Sequence, residues 1–552
     1  MKIKKLILTI LTLCLVCCAA IFAFSGCTWS DPDGTTDACE HAEAEHHSAE
    51  PATCTTAGNE EYWYCEDCNK YFRDSAFTQE TTLADTVIVI DSDNHKYGAF
   101  VYNYESMKYV KTCEYDNGHT SEQEAGSEEY PYLVKTAAQM TSVLAKDGYI
   151  KLEDNITLSS YPTIQQKQKM VVDLNENTLS CSAAYTLVIG SATIEFKNGK
   201  IENTNSKGYS VYSAAGGNIT LNDCEVVSRY VGVRDNGGTF NLNNTTVTAQ
   251  DAYGIYSQTV GDVITVNGGS ISGSQGINSK GILRINGSTV TGQSTAVISY
   301  NTFEMTGGTI NSGSLAINIK YESYNYTQVE DSYYVHLTLN GTTINSNGVG
   351  VQMQTTKANI ESANFETDGN CVVAFRDTVL NMTNCTLTSQ SGAGLMGNGT
   401  TSTNSGECGI NTDITLTGCI ITAKWGIYLP QIDSMFTMEG GTINATNAGI
   451  EIRSGTATLK NVTITCSASQ FNIAENTSGS TVTGAAVAVS QHSTDNDIHV
   501  TIDGCTLEGV YAFYEEDVMN DKHDNIEVTF EGENTIIGSV YSQNCDISAI
   551  EY

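Results

Sequence analysis

Proline is nearly missing from this chain, with 5 in 552 residues, and charged side chains make up only 16% of it. Basic residues are the scarcer kind: 27 Lys and Arg stand against 63 Asp and Glu, for a formal charge of −36. Such a surface repels phosphate backbones, which excludes a nucleic-acid partner and suits a soluble extracellular surface. Almost no long window carries an amphipathic helical pattern, so a helical fold is excluded as well. No HExxH helix motif occurs, which argues against catalytic zinc. Long apolar runs are confined to the N-terminus.

What the chain does have is 49 Gly and an abundance of Thr, Asn, Ser, Ile and Val. Thr, Ile and Val suit pleated strands, while Gly and Asn suit tight corners. Length alone would suggest several domains, but this composition points to one extended β architecture with small additions.

The N-terminus reads as a targeting segment. "MKIKK" is a basic n-region, followed by the apolar run "LILTILTLCLVCCAAIFAF", long enough for a signal or a membrane span. The next residues, "FSGC" from Phe24 to Cys27, resemble the lipobox of bacterial lipoprotein signals. The resemblance implies removal of residues 1–26 and lipid attachment at Cys27, placing the chain on the outer face of the cell membrane. An uncleaved anchor helix is the alternative, with the same topology. Residues 27–38 then read as a linker.

A Cys/His-rich segment occupies residues 39–85. It reads "CEHAEAEHHSAEPATCTTAGNEEYWYCEDCNKYFRD" from Cys39. Two thiolates on the tight Cys65-x-x-Cys68 turn need two more ligands for a tetrahedral zinc site. His47 and Cys54 are the favoured pair, and Cys39 and His41 compete with them. So short a segment has little core, and structural zinc would supply its folding energy. A disulfide between Cys54 and the CxxC is an even alternative. The phrase "EPATCTTAGNEEYWYCEDCNKYF" resembles a small repeated module of Gram-positive surface proteins, here zinc-ribbon-like. Residues 86–126 read as a degenerate second copy or linker that keeps His95, Cys113 and His119. Asn117 stands where another cysteine would be expected, so one metal site is expected rather than two.

From about residue 130 to 552 an octet recurs. It appears as "VDLNENTL" (Val172), "IEFKNGKI" (Ile194), "ITLNDCEV" (Ile219), "ITVNGGSI" (Ile264), "LRINGSTV" (Leu283) and onward to "VTIDGCTL" (Val500) and the imperfect "VTFEGENTII" (Val528). Fifteen copies, most 19 to 25 residues apart, make a solenoid. Positions 1 and 3 point inward along one strand, a corner follows at 4 and 5, and positions 6 and 8 point inward along the next. Cys224, Cys385, Cys419 and Cys505 fall at position 6 and read as compact core fillers. A third strand, as in "GYSVY", "YVGVR" and "YGIYS", completes each turn. The pattern is similar to the right-handed parallel β-helix of pectate-lyase-like enzymes and bacterial adhesins. The expected fold is therefore all-β: a three-sheet solenoid of about 15 rungs. A short helix capped by Thr136, with Met140, Val143 and Leu144 on the first rung, should cover its N-terminal end, and no clear cap follows Asn544.

Function should lie where the repeat is interrupted. Inserts after Ile319, Gly397 and Glu515 leave from one corner, and another after Cys466 leaves from the opposite one. Tyr321, Tyr324, Tyr326, Tyr333 and Tyr334 crowd the first insert, where they either contact a glycan or protein, or pack down on the rod. Arg234, Lys320, Arg376 and Arg453 end third strands but stand two or three rungs apart, too far to share a lyase site. β-Helix glycosidases resemble one another in four motifs, of which only Asn411-Thr412-Asp413 occurs here. The acidic runs Asp495–Asp497 and Glu515, Glu516, Asp517, Asp521, Asp524 lack calcium-loop spacing and read as a solvated face, so calcium has no motif to support it. The expectation is a monomeric, non-catalytic adhesin that binds glycan or a host surface protein. A polysaccharide lyase or glycoside hydrolase and a structural envelope spacer are the alternatives.

Overall fold

In the computed structural model, the described residues are 39–165, 169–322, 330–397, 412–430, 434–473, 482–491, 497–517, 525–547 and 550. The chain forms two compact units, one running to Phe100 and including Lys111–Ser121, the other made of Val101–Val110 and everything from Glu122 onward. No helix among the described residues is long and apolar enough to cross a membrane. The lipobox cysteine Cys27 lies outside them.

The larger unit is a parallel β-solenoid of about 16 turns. Octet positions stand directly over one another: Ile264 pairs with Leu283, Leu283 with Phe303, and Phe303 with Leu337. One turn precedes the octets, built from Gly148–Leu152, Ile156–Leu158 and Thr163–Ile164. The first octet sits two residues out of the expected register. Met170, not Val172, pairs with Ile194, and the two extra residues lengthen the corner.

The corner explains the octet's polar middle. In every octet from Ile194 on, the fifth residue has φ between +47° and +68°. Side chains with a Cβ resist that left-handed conformation, and Gly, Asn and Asp adopt it at least cost. Those are the residues found there, with Ser362 the one exception. At position 4 the asparagines form a ladder up the solenoid: Asn243 donates to Asn222 at 2.7 Å, Asn267 to Asn243 at 2.8 Å, and Asn286 to Asn267 at 2.7 Å.

In most octets position 6 is buried, and its side chain carries a second role besides filling space. The Thr245 hydroxyl donates to the Leu221 carbonyl of the rung below at 3.0 Å, and to the Asn243 carbonyl at 3.1 Å. The thiols do the same, Cys224 to Phe196 O and Cys385 to Ile360 O, each at 3.4 Å. Small polar side chains there satisfy corner carbonyls that strand pairing leaves over.

The N-terminal end of the solenoid is covered, and the C-terminal end is partly so, with Val528, Phe530, Ile536 and Val540 of the last rung half-buried. At the N-terminal end, helix Ala137–Val143 starts with a capping box in which Thr136 and Gln139 satisfy each other's backbone, with Met140, Val143 and Leu144 buried in the core. A hairpin adds to this cover: Tyr102 pairs with Tyr109, the Tyr109 hydroxyl donates to Pro131 O at 3.0 Å, and Met107 packs on the core. At the other end Glu515, expected on a solvated acidic face, is fully buried. Its carboxylate accepts from Ser542 Oγ at 2.6 Å, Asn544 N at 2.8 Å and Asn544 Nδ2 at 2.9 Å, which ties the tail under the last rungs. Cys545 and Ile547 pack there against the core.

Three inserts leave between the third sheet and the next first sheet, after Leu315–Lys320, Ala393–Gly397 and Thr506–Asp517. The fourth leaves after Thr463–Cys466, at the other corner, and carries the small pairing of Asn472–Ile473 with Val482–Thr483.

Candidate metal centre and aromatic face

The smaller unit holds an antiparallel sheet of Glu45–His47, Tyr62–Cys65, Lys70–Phe72 and Glu80–Thr81. Cys65 ends one strand, and the CxxC turn closes through Asn69 with φ +53°. Because Glu45 pairs with Tyr64 and His47 with Tyr62, the chain before Glu45 lies at the CxxC end and His47 points the other way along the sheet. The ligand atoms of Cys39, His41, Cys65 and Cys68 consequently gather within 4.8 Å of one another. Cys39 Sγ lies 3.4 Å from Cys65 Sγ, and His41 Nδ1 lies 3.6 Å from Cys68 Sγ. A zinc tetrahedron has edges of about 3.8 Å between sulfurs and about 3.6 Å from sulfur to nitrogen, so this cluster could hold a metal ion.

His47 instead stacks on Tyr62 at 4.5 Å and faces Glu45 at 3.6 Å. Cys54 lies elsewhere, 3.6 Å from Cys113 Sγ. The structure thus brings together the competing pair Cys39 and His41 with Cys65 and Cys68, and separates His47 and Cys54 from them. Hydrogen bonding with His41, then with the Cys68 backbone, pulls the Cys65 thiol down to about 6. Burial pushes Cys68 up to about 11. One readily ionised thiol per cluster favours cation binding.

On the solenoid, the predicted tyrosines are held close. Tyr321 packs on the core and stacks on Tyr333 at 4.9 Å. Lys357 lies 4.5 Å over the Tyr334 ring and pairs with Asp331 at 2.9 Å. Tyr324 and Tyr326 lie outside the described residues.

A larger aromatic face stands on the outer side of the third sheet. Its registers place Tyr185 beside Tyr209, and Tyr212, Arg234 and Tyr256 on successive rungs. Tyr185 stacks on Tyr209 at 5.4 Å and on Tyr212 at 5.1 Å, and Tyr253 stacks on Tyr256 at 4.7 Å. The Arg234 guanidinium lies 5.0 Å from the Tyr209 ring and 5.3 Å from that of Tyr212. It donates to Tyr209 Oη at 3.1 Å and to Gln258 Oε1 at 2.7 Å, and Gln258 donates to Tyr256 Oη at 2.8 Å. These half-buried rings pack on one another and on the guanidinium, which fixes their phenol and guanidinium edges in place. Burial pushes the phenols of Tyr185 and Tyr253 up, so they remain donors at neutral pH. The repeated Tyr of "GYSVY" and "YGIYS" is the available signal in the sequence, and strand propensity accounts for it without a site.

The other basic third-strand residues are engaged. Arg376 is buried with Asp377 at 3.0 Å, and Arg453 with Glu451 at 2.7 Å. Lys320 lies 5.6 Å over Tyr300. Asn411 lies outside the described residues, and Thr412 donates to Ser434 Oγ at 2.7 Å. Beneath Arg234, Asp235 and Asp262 are fully buried. Burial, then the Asp262 charge, pushes the Asp235 carboxyl up to about 7, while Asp262 accepts from Ser257 Oγ at 2.7 Å. No protein-family model matches this chain, and no curated protein matches it either.

Proposed function

We propose that this chain is a lipid-anchored, extracellular, non-catalytic binding protein that contacts glycan through the Tyr185, Tyr209, Tyr212, Arg234 and Tyr256 face. The observation that carries the proposal is the column of tyrosines with one guanidinium packed among them. Phenol and guanidinium groups held at the ring edges offer fixed hydrogen-bond partners to sugar hydroxyls. The lipobox at Cys27 and the preceding apolar run support anchorage at the outer face of the membrane. The Cys39, His41, Cys65 and Cys68 cluster supports structural zinc, since its four ligand atoms gather within 4.8 Å of one another and three thiols with one imidazole are the donor set of a fold-holding centre.

The alternative is a polysaccharide lyase or hydrolase. It needs a base and an acid converging on one scissile bond, and the ion pairs at Arg376 and Arg453 already commit those charges. The test is titration of the mature protein against a panel of neutral and acidic oligosaccharides, with new reducing ends and unsaturated products followed in parallel. Saturable binding without product, weakened at least about tenfold, or ~1.4 kcal/mol, by Tyr212→Ala with its melting curve unchanged, is the expected result. Sustained product release, or binding indifferent to Tyr212→Ala and Arg234→Ala, contradicts it.

A further inference from the structure

We infer that the smaller unit carries a second metal centre, formed by Cys54, His95, Cys113 and His119 and interleaved in sequence with the first. Cys54 Sγ lies 3.6 Å from Cys113 Sγ and 3.4 Å from His119 Nδ1. A ring nitrogen of His95 lies within 4.8 Å of both sulfurs. The two distances fit the edges of a tetrahedron with metal–sulfur bonds of about 2.3 Å and metal–nitrogen bonds of about 2.0 Å. The sulfurs stand well beyond the ~2.05 Å of a disulfide. The His95 and His119 rings lie edge to face, with centroids 5.0 Å apart and an interplanar angle of 86°, close enough for both to reach one ion. His95 Nδ1 is buried and has no hydrogen-bond partner among the described residues.

Three backbone segments present these side chains, and hydrogen bonds lace them together. Cys54 N donates to Asn94 O at 3.2 Å, and Asn94 Nδ2 donates to Ala52 O at 2.5 Å. Cys113 N donates to His119 O at 2.9 Å, and Glu114 N donates to Lys96 O at 2.8 Å. The Asp116 carboxylate accepts from Gly118 N at 2.7 Å, holding the turn that returns His119 to Cys113. His119 thereby fills the place of the cysteine that Asn117 does not supply. The ligand atoms of Cys54, His95 and Cys113 gather within 4.8 Å of one another, and His119 is the fourth ligand from its place beside Cys54. Two thiolates and two imidazoles select a borderline divalent cation such as zinc over calcium or magnesium. One centre is then a three-sulfur site and the other a two-sulfur site, and together they make the smaller unit, residues 39–100 with 111–119, metal-dependent.

Metal content of the mature full chain, purified under reducing conditions with zinc, tests this independently of glycan binding. Two zinc ions per chain are expected, falling to one in Cys113→Ser and to one in Cys68→Ser. Cobalt substitution adds a signature: Cys113→Ser should remove about two fifths of the thiolate-to-cobalt absorbance. His119→Cys should keep both metals and raise that absorbance, which separates loss of a ligand from loss of folding. A stoichiometry of one that Cys113→Ser leaves unchanged overturns the inference, as does a Cys54–Cys113 disulfide in the metal-loaded protein. A single ion lost with Cys113→Ser but kept with Cys68→Ser upholds the second centre and removes the first.

Discussion

At the scale of single residues, burial sets the chemistry of the solenoid interior. Asp235 is the clearest case, with its carboxyl held near 7 by burial and by Asp262. A raised folded-state value means that the native protein keeps a proton which the unfolded chain releases above about pH 4. Stability contributed by that proton is therefore present at low pH and lost between about pH 4 and pH 7, at up to ~1.4 kcal/mol for each pH unit crossed. Asp235→Asn should flatten this loss, so denaturant midpoints of the two proteins should diverge progressively from about pH 4 to pH 7 and run parallel above it, with the variant the more stable at the upper end. Curves that stay parallel between about pH 4 and pH 7 contradict the assignment. The side chains with the most specific partners were the least legible in sequence. Glu515 looked like one of an acidic run because its partner Asn544 stands 29 residues away. His47 was favoured over His41 as a ligand because spacing alone does not reveal that Glu45–His47 runs antiparallel to the strand bearing Cys65.

At the scale of the element, the octet is a strand, a left-handed corner and a second strand, and its polar centre is a backbone requirement. Gly341 isolates that requirement: its φ is +61°, and a Cβ added there meets no atom within 4 Å. Gly341→Ala should cost about 1 kcal/mol through backbone conformation alone, and Gly341→Asn clearly less, both read from equilibrium denaturation. An equal cost for the two substitutions contradicts this account of the corner. Much of the element was legible: alternation gave positions 1, 3 and 8, and Thr136 was legible as the helix cap, to which the structure adds Gln139 in a capping box. The register of the first octet was not, because in "MVVDL" either Met170 or Val172 satisfies the alternation. The longer corner with Asn175 and Glu176 both at positive φ decides it. The aromatic face was also hidden, since tyrosine suits a strand and only the stacking of rungs brings Tyr185, Tyr212 and Tyr256 together.

At the scale of the whole molecule, the solenoid converts a one-dimensional repeat into columns of side chains, and each column is one property displayed on successive rungs. Asn243, Asn267 and Asn286 form one such column, and the tyrosines and Arg234 form another. Thr415, Thr437 and Thr458 form a third on the outer side of the first sheet. Every functional statement about the larger unit depends on these columns, so their existence is the claim to test. Residues on adjacent rungs should lie ~4.8 Å apart, within disulfide reach, and residues two rungs apart ~9.6 Å, beyond it. Mild oxidation of the double variants Thr415→Cys/Thr437→Cys and Thr415→Cys/Thr458→Cys, followed by peptide mass mapping, reads this out. A cross-link in the first variant and none in the second is the predicted result. Failure of the first to cross-link, or equal cross-linking of both, would contradict the stacked solenoid.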